Sequence, residues 1–137
     1  MYVLDTNTVS FLMRGDADVV ARLTESDRTE VRLPQPVVAE IEYGLARLPR
    51  SARRTRLRRR FDTLNEELLR AEWSDAVSRS FGSIKADLEK RGARIEDFDV
   101  AVAAHAVSLE AILVTDNLEH MRRIAGLRVE NWRSAPS

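Results

Sequence analysis

The 137-residue sequence contains no cysteine, which excludes disulfide bridges, thiolate metal sites and catalysis by a cysteine nucleophile. Lysine occurs only as Lys85 and Lys90, so arginine supplies nearly all of the positive charge. Two histidines without cysteine do not make a zinc site. The five glycines are isolated from one another, so there is no glycine-rich loop of the kind that binds phosphate groups.

Long hydrophobic segments are also absent. The first apolar segment, Tyr2–Leu4, ends at Asp5, and no basic segment precedes it, so we expect neither a signal peptide nor a membrane-spanning helix. We therefore expect a cytoplasmic protein, which also fits the lack of cysteine. The 22 basic and 22 acidic residues cancel, which argues mildly against a dedicated nucleic-acid binder. Length and composition predict one globular domain over residues 1–133 and a flexible tail over residues 134–137.

Short apolar segments alternate with helical patterns along the chain. The patterns predict strands at Tyr2–Leu4, 31–33, 112–115 and 127–130. They predict helices at Thr6–Met13, 18–25, 36–48, 52–69, 74–90, 97–109 and 118–125. Strands separated by helices indicate an α/β fold with a mostly parallel sheet covered on both faces.

Four acidic residues stand where such a fold binds ligands. Asp5 and Asp116 follow strands directly, and ligands of parallel sheets lie at the carboxyl ends of the strands. Glu40 and Asp99 lie early in two helices. If the four side chains converge, they form an all-oxygen cluster, which favours Mg²⁺ or Mn²⁺ over zinc. Clustered carboxylates repel one another and need a cation for stability.

Each acidic residue also has a structural interpretation. Asp5 could cap the first helix, a role that Thr6 or Asn7 could also fill. Asp99 could simply interact with the helix dipole, and Glu40 could be a solvated helix residue. Residue positions alone leave the metal site and these structural roles open. For the helix beginning near residue 97, we expect Asp97 as the N-cap.

The segment from Arg47 to Arg60 contains eight arginines. Arginine binds phosphate groups through its bidentate fork, so we predict Arg53, Arg54 and Arg58 as RNA contacts beside the acidic site. The alternative is a solvated helical face that is partly paired with Glu66 and Glu67. Phe61 is the only aromatic residue adjacent to this segment. We expect His105 and His120 to be helix-packing or helix-surface residues and Trp73 and Trp132 to be packing aromatics.

Five segments in order carry a resemblance to a known family. This chain resembles the PIN-domain family in four segments, VLDTN (residues 3–7), VVAEIEYG (37–44), DFDVAVAAHA (97–106) and LVTDN (113–117). The ending IAGLRVENW (124–132) is similar to that of VapC-type toxins, the ribonuclease half of VapBC toxin–antitoxin pairs. The resemblance implies a three-layer α/β/α PIN-like domain whose central, mostly parallel sheet has four to five short strands.

The resemblance also implies an activity and a site. A PIN-domain toxin is an endoribonuclease that depends on Mg²⁺, with Mn²⁺ as a plausible substitute. Asp5, Glu40 and Asp99 would be its main metal ligands, and Asp116 would be the fourth, with Glu119 as the alternative. The supporting residues, which would orient ligands or water by hydrogen bonds, are Thr6, Asn7 and Thr115.

The implied partners are an RNA substrate, of the transfer or ribosomal kind, and a small cognate antitoxin. The family further implies a homodimer, and a heterotetramer or larger assembly with antitoxin. One alternative is a catalytically inactive PIN-like module that binds RNA or protein. A phosphoacceptor signalling domain is disfavoured, because Asp5 stands alone after its strand and no lysine follows Lys90.

Overall fold

The computed structural model describes residues 1–133, so the flexible tail predicted for residues 134–137 lies outside the described residues. Five strands form one sheet with the order β3-β2-β1-β4-β5, and every neighbouring pair is parallel. The strands are β1 (Tyr2–Leu4), β2 (Val31–Pro34), β3 (Leu69–Ala71), β4 (Ile112–Val114) and β5 (Arg128–Glu130). The predicted parallel sheet of four to five strands is confirmed.

Seven α-helices cover this sheet within residues 1–133. They are α1 (Thr6–Met13), α2 (Ala17–Glu25), α3 (Gln35–Arg47), α4 (Ala52–Glu67), α5 (Asp75–Lys90), α6 (Asp97–Ser108) and α7 (Leu118–Met121). Right-handed crossover connections put α1 to α4 on one face of the sheet and α5 to α7 on the other. The predicted three-layer arrangement follows from this strand order.

The central strands β1 and β4 are buried on both faces, as parallel strands between two helical layers must be. Val3, Leu4, Leu113 and Val114 are all fully buried. Helix α6 packs on β1, β4 and α5 together, so it is enclosed on all sides, and residues 100–106 are buried without a polar stripe. Its alanines permit this close approach because their side chains are small.

β3 was missed by the sequence pattern, which extended the preceding helix to residue 69. Helix α4 instead ends at Glu67, and Leu69–Ala71 pairs with β2 at the edge of the sheet. The strand has three residues, and Leu69 is exposed. An edge strand this short carries neither the alternation nor the continuous apolar run that indicates a strand.

The end of α7 and the capping residue of α6 also differ from the prediction. Helix α7 ends at Met121 rather than residue 125, and turns with i→i+3 hydrogen bonds follow until Gly126, whose positive φ directs the chain into β5. Asp97 was predicted to cap α6 but is its first helical residue, and Glu96 precedes it without a side-chain cap. The Asp97 carboxylate pairs with Lys85 on α5 instead.

No helix in the described part of the chain is long and apolar enough to cross a membrane.

Candidate metal centre at the carboxyl edge of the sheet

β1 and β4 lie side by side where the strand order reverses. The connection after β1 leads to β2 on one side, and the connection after β4 leads to β5 on the other. Such a switch point opens a crevice at the carboxyl ends of the strands, which is the usual ligand position in parallel sheets. Asp5 follows β1 here, and Asp116 lies two residues beyond β4.

A cavity of about 300 Å³ occupies this position. Three of the four predicted acidic residues line it, namely Asp5 after β1, Glu40 from α3 and Asp99 from α6. The remaining lining residues are Thr6, Asn7, Glu96, Phe98, Val102 and Asn117. Asp116 lies at the edge of the cavity, close enough for its charge to raise the pKa of Asp5. The fold therefore brings the predicted carboxylates together.

Asp5 is both the N-cap of α1 and the most enclosed carboxylate of the cavity. Its Oδ1 accepts a hydrogen bond from the backbone N–H of Thr8 at 2.8 Å, and only 7% of the residue is exposed. Asp5, rather than Thr6 or Asn7, is thus the capping residue. Burial raises the pKa of Asp5, and this effect exceeds the opposing effect of hydrogen bonds from Thr115 and Thr8.

The predicted supporting residues hold the other acidic side chains. The Thr6 hydroxyl donates to Glu40 Oε1 at 2.6 Å, which joins the start of α1 to α3. The Asn7 side-chain amide donates to Asp116 Oδ1 at 3.1 Å. Thr115 is fully buried, and its hydroxyl also accepts from the Asn117 backbone N–H at 3.0 Å. The contacts of Thr6 and Asn7 therefore orient the carboxylates of Glu40 and Asp116.

Asp99 shows that the carboxylates interact electrostatically. Burial is the largest cause of its raised pKa, and the negative charge of Glu40 is the second. Asp5 and Glu96 raise the pKa of Asp99 further, whereas His120 lowers it. Since mutual repulsion disfavours the ionised forms, the cavity favours a bound positive charge.

The donor set fits a hard divalent cation. Among residues 1–133, no lysine, arginine or histidine forms an ion pair with Asp5, Glu40, Asp99 or Asp116. The available ligand atoms are all oxygens, as Mg²⁺ and Mn²⁺ require. Within residues 1–133, however, no three acidic or histidine side chains lie in an arrangement that could hold a metal ion. The fit to a cation therefore rests on the chemistry of the donor atoms.

Several side chains near the cavity were not predicted as site residues. Phe98 is four residues before Val102, a spacing that favours a shared apolar helix face, yet it is 49% exposed and lines the cavity. His120 hydrogen-bonds Asn117 through its ring Nδ1 and lies near Asp99. The sequence signal for Phe98 is its place immediately before Asp99 in the first turn of α6.

The predicted packing roles are confirmed for His105 and Trp132, which are buried. The Nδ1 atom of His105 lies 2.7 Å from the carbonyl oxygen of Ala101. Trp73 differs from the prediction because 45% of it is exposed, although its ring contacts those of Phe81 and His105.

The three arginines predicted as RNA contacts have different surroundings. Arg58 forms ion pairs with Glu42 on α3 and Asp62 on its own helix, not with Glu66 or Glu67. Arg54 donates to the backbone carbonyl of Leu48 at 3.2 Å. Arg53 is exposed and lines a second cavity that Thr6 and Glu40 also line.

The position of Glu42 agrees with its helical spacing from Glu40. The two residues are two positions apart on α3, so their side chains point in different directions. Glu40 faces the acidic cavity, whereas Glu42 pairs with Arg58 on α4.

Comparison with known proteins agrees with this architecture. The family model described as "PIN domain" matches residues 2–127. Ribonuclease VapC2 of Haemophilus influenzae is 32% identical over 132 residues, covering 96% of this chain and 97% of that protein. The tRNA(fMet)-specific endonuclease VapC of Salmonella typhimurium is 25% identical and covers 96% of this chain and 97% of that protein.

Solved structures give the same result. A DNA-bound VapBC structure from Salmonella typhimurium matches with a TM-score of 0.86 and 25% identity, covering 96% of this chain and 97% of that one. VapBC2 from Rickettsia felis, bound to a DNA fragment from its promoter, matches with a TM-score of 0.84 and 26% identity, covering 96% and 98%. The chain therefore belongs to the PIN-domain family and, within it, to the VapC-type ribonucleases.

Proposed function

We propose that this chain is a metal-dependent endoribonuclease that hydrolyses RNA phosphodiester bonds as the toxin of a type II toxin–antitoxin system. The observation that carries the proposal is the acidic cavity at the β1/β4 switch point. Burial raises the pKa of Asp5 and of Asp99, neighbouring carboxylates raise both further, and no carboxylate of the cavity forms an ion pair among residues 1–133. Family membership supports RNA as the substrate.

Asp5, Glu40 and Asp99 would hold the cation, with Asp116 as the fourth acidic residue. Asp116 is preferred to Glu119 because its charge acts on Asp5 and because Asn7 orients it. Mg²⁺ is the expected ion and Mn²⁺ a plausible substitute, since both prefer oxygen ligands. When bound, the ion would lower the pKa of a water molecule and balance charge on the phosphoryl group.

The chain's own residues hold this site ready. The Thr6 hydroxyl fixes the direction of Glu40 Oε1, and the Thr8 N–H fixes Asp5 Oδ1 at the start of α1. Hydrogen bonds of this type keep ligating carboxylates in the orientation that binding requires. Because Asp5 and Asp99 both have raised pKa values, protons compete with the cation, so activity should fall as the pH is lowered.

The partners follow from the relatives. Two of the matched structures are VapBC complexes, and one relative is named as specific for tRNA(fMet). We therefore propose a small cognate antitoxin as the inhibitor and a transfer or ribosomal RNA as the substrate. A homodimer, assembling with antitoxin into a heterotetramer or larger complex, is part of the same proposal, and the cytoplasm is the expected compartment because these RNAs are there.

The test is cleavage of total RNA by purified protein free of antitoxin, with Mg²⁺, with Mn²⁺ and with chelator. Asp99→Asn is compared with Asp97→Asn. Both residues lie in the first turn of α6, so each substitution loses a similar interaction with the helix dipole. Asp99 lines the acidic cavity, whereas Asp97 is outside it and pairs with Lys85.

We expect metal-dependent fragments from the wild type and from Asp97→Asn, and none from Asp99→Asn. The fragment ends would identify the cleaved loop. Equal cleavage by the two variants would contradict the site. RNA binding without cleavage under any metal condition would support the alternative, an inactive PIN-like binding module.

A further inference from the structure

A second cavity of about 340 Å³ adjoins the acidic one. Thr6 and Glu40 line both, so the two cavities are adjacent at this pair of side chains. Helices α1, α3 and α4 form the walls of the second cavity. Its floor is apolar and consists of Met13, Ile41, Leu45, Leu48 and Leu57. A floor of this kind accepts the flat face of a planar group.

The rim of this cavity is basic. Arg14, Arg47 and Arg53 lie on it, and none of the three forms an ion pair with a carboxylate within residues 1–133. Unpaired arginines beside an acidic site provide positive charge where a phosphate backbone must approach carboxylates that repel it. Arg58 differs because Glu42 and its own helix already neutralise it.

The rim also carries an exposed aromatic ring. Tyr43 is 64% exposed, although large aromatic side chains usually find a packing partner. The Arg47 guanidinium lies over the Tyr43 ring at 5.4 Å from its centroid. This pair offers a planar surface for stacking next to a cationic group, which is the combination that binds single-stranded nucleic acid.

We propose that the second cavity binds one nucleotide of the single-stranded RNA that flanks the cleaved phosphate. The base stacks on Tyr43 over the apolar floor, and Arg47 and Arg53 contact the adjoining phosphates. This inference rests on the proposed ribonuclease function and adds a substrate subsite to it. It also selects Arg53 among the arginines predicted from the sequence and assigns Arg54 and Arg58 structural roles.

The test measures binding of a fluorescein-labelled oligoadenylate in chelator, so that no cleavage occurs, over a series of salt concentrations. The variants are Tyr43→Ala, Tyr43→Phe and Arg53→Ala, with Arg59→Ala as the matched control. Arg59 is an exposed arginine on the same helix as Arg53 but does not line this cavity. Thermal unfolding of each variant verifies that the fold is retained.

Tyr43→Ala should weaken binding about 5- to 150-fold, the range expected for one lost base–aromatic stack. Its dependence on salt should stay unchanged, and Tyr43→Phe should restore the affinity. Arg53→Ala should flatten the slope of log K against log salt by about 0.7, the value for one phosphate contact on a single strand. Arg59→Ala should leave the slope as in the wild type.

No measurable binding by the wild type at low salt would overturn the inference. The inference would also be overturned if Tyr43→Ala and Arg53→Ala kept the affinity and the salt dependence of the wild type. It would be overturned as well if Arg59→Ala changed the slope of log K against log salt as much as Arg53→Ala does. Variants that keep RNA binding but lose binding of the purified antitoxin would assign the cavity to a protein partner and overturn it as well. Binding as expected without metal-dependent cleavage would support the subsite while contradicting the proposed function.

Discussion

Asp5→Asn separates the structural role of Asp5 from its functional one. The carboxylate caps α1 by accepting from the Thr8 N–H at 2.8 Å, and asparagine caps helices about as well as aspartate. The substitution therefore keeps the cap and removes only the charge. Asp5→Ala is the comparison, because it removes both and should cost about 1 kcal/mol for the lost cap.

The expected change in stability follows from the pKa of Asp5. In the folded protein this pKa is raised above 3.8, chiefly by burial. The folded state then binds a proton more tightly than the unfolded state does, so the free energy of unfolding decreases as the pH rises through the window between the two pKa values. At neutral pH the charge opposes folding, and Asp5→Asn should unfold at a higher temperature than the wild type in chelator.

A bound metal ion should reverse the order of the two unfolding temperatures, so that the wild type unfolds above Asp5→Asn. A cation at a hundred times its dissociation constant adds about 2.7 kcal/mol to the wild type. For a chain of this length that corresponds to a rise of roughly 10 °C in the unfolding temperature. Asp5→Asn should lose most of this rise and should cleave no RNA. Asp5→Ala should unfold roughly 3–5 °C below Asp5→Asn in chelator, because both variants lack the charge and only Asp5→Asn keeps the cap.

Calorimetric unfolding of the three proteins in chelator and over a Mg²⁺ titration, at one pH and protein concentration, makes the comparison. The reasoning would be refuted if Asp5→Asn lost as much stability in chelator as Asp5→Ala. It would also be refuted if Mg²⁺ raised the unfolding temperature of Asp5→Asn as much as that of the wild type.

Two further predictions concern the surroundings of the site, and a third concerns the buried histidine of α6. Thr6→Val removes the hydroxyl that donates to Glu40 at 2.6 Å, so it should lower metal affinity or cleavage rate about 10- to 100-fold. Cleavage over a Mg²⁺ titration measures this effect, and an unchanged rate at every Mg²⁺ concentration would contradict it. His120→Ala removes the group whose charge lowers the pKa of Asp99, so the acid limb of the pH–rate profile should move to higher pH, whereas a shift to lower pH would oppose the reasoning. Burial lowers the pKa of His105 below 6.5, so the stability that its neutral form provides is present above pH 6.5 and is lost as the pH falls through the lowered pKa. His105→Leu should therefore flatten the pH dependence of urea unfolding below pH 6.5. An unchanged dependence would contradict the inference that His105 is buried in its neutral form.

The fold was predictable where its determinants are local. β1 and β4 are continuous apolar segments, and each is followed by a polar residue at the site, so both the strands and the ligand edge can be read from the pattern. β3 was not predictable, because its pairing with β2 depends on the sheet and not on its own three residues. The family resemblance implied four to five strands, so it allowed for a fifth strand without placing it in the sequence.

The convergence of the carboxylates was predictable because strand ends and the N-terminal parts of the helices meet at one edge of a parallel sheet. Their surroundings were not. The exposure of Phe98 and Tyr43 depends on which helix lies beside each ring, and that arrangement is not local in the sequence. Likewise, the partners of Arg58 come from α3 as well as from its own helix, a contact between helices that spacing within one helix cannot indicate.

The central claim is that the acidic cavity binds a divalent cation. The most direct measurement is anomalous diffraction from crystals grown with Mn²⁺, since this ion is expected to replace Mg²⁺ and scatters strongly enough to be located. We predict an anomalous peak in the cavity within ligand distance of carboxylate oxygens of Asp5 and Asp99. A Mn²⁺-containing crystal with no peak there, or with Mn²⁺ bound only by other residues, would contradict the account.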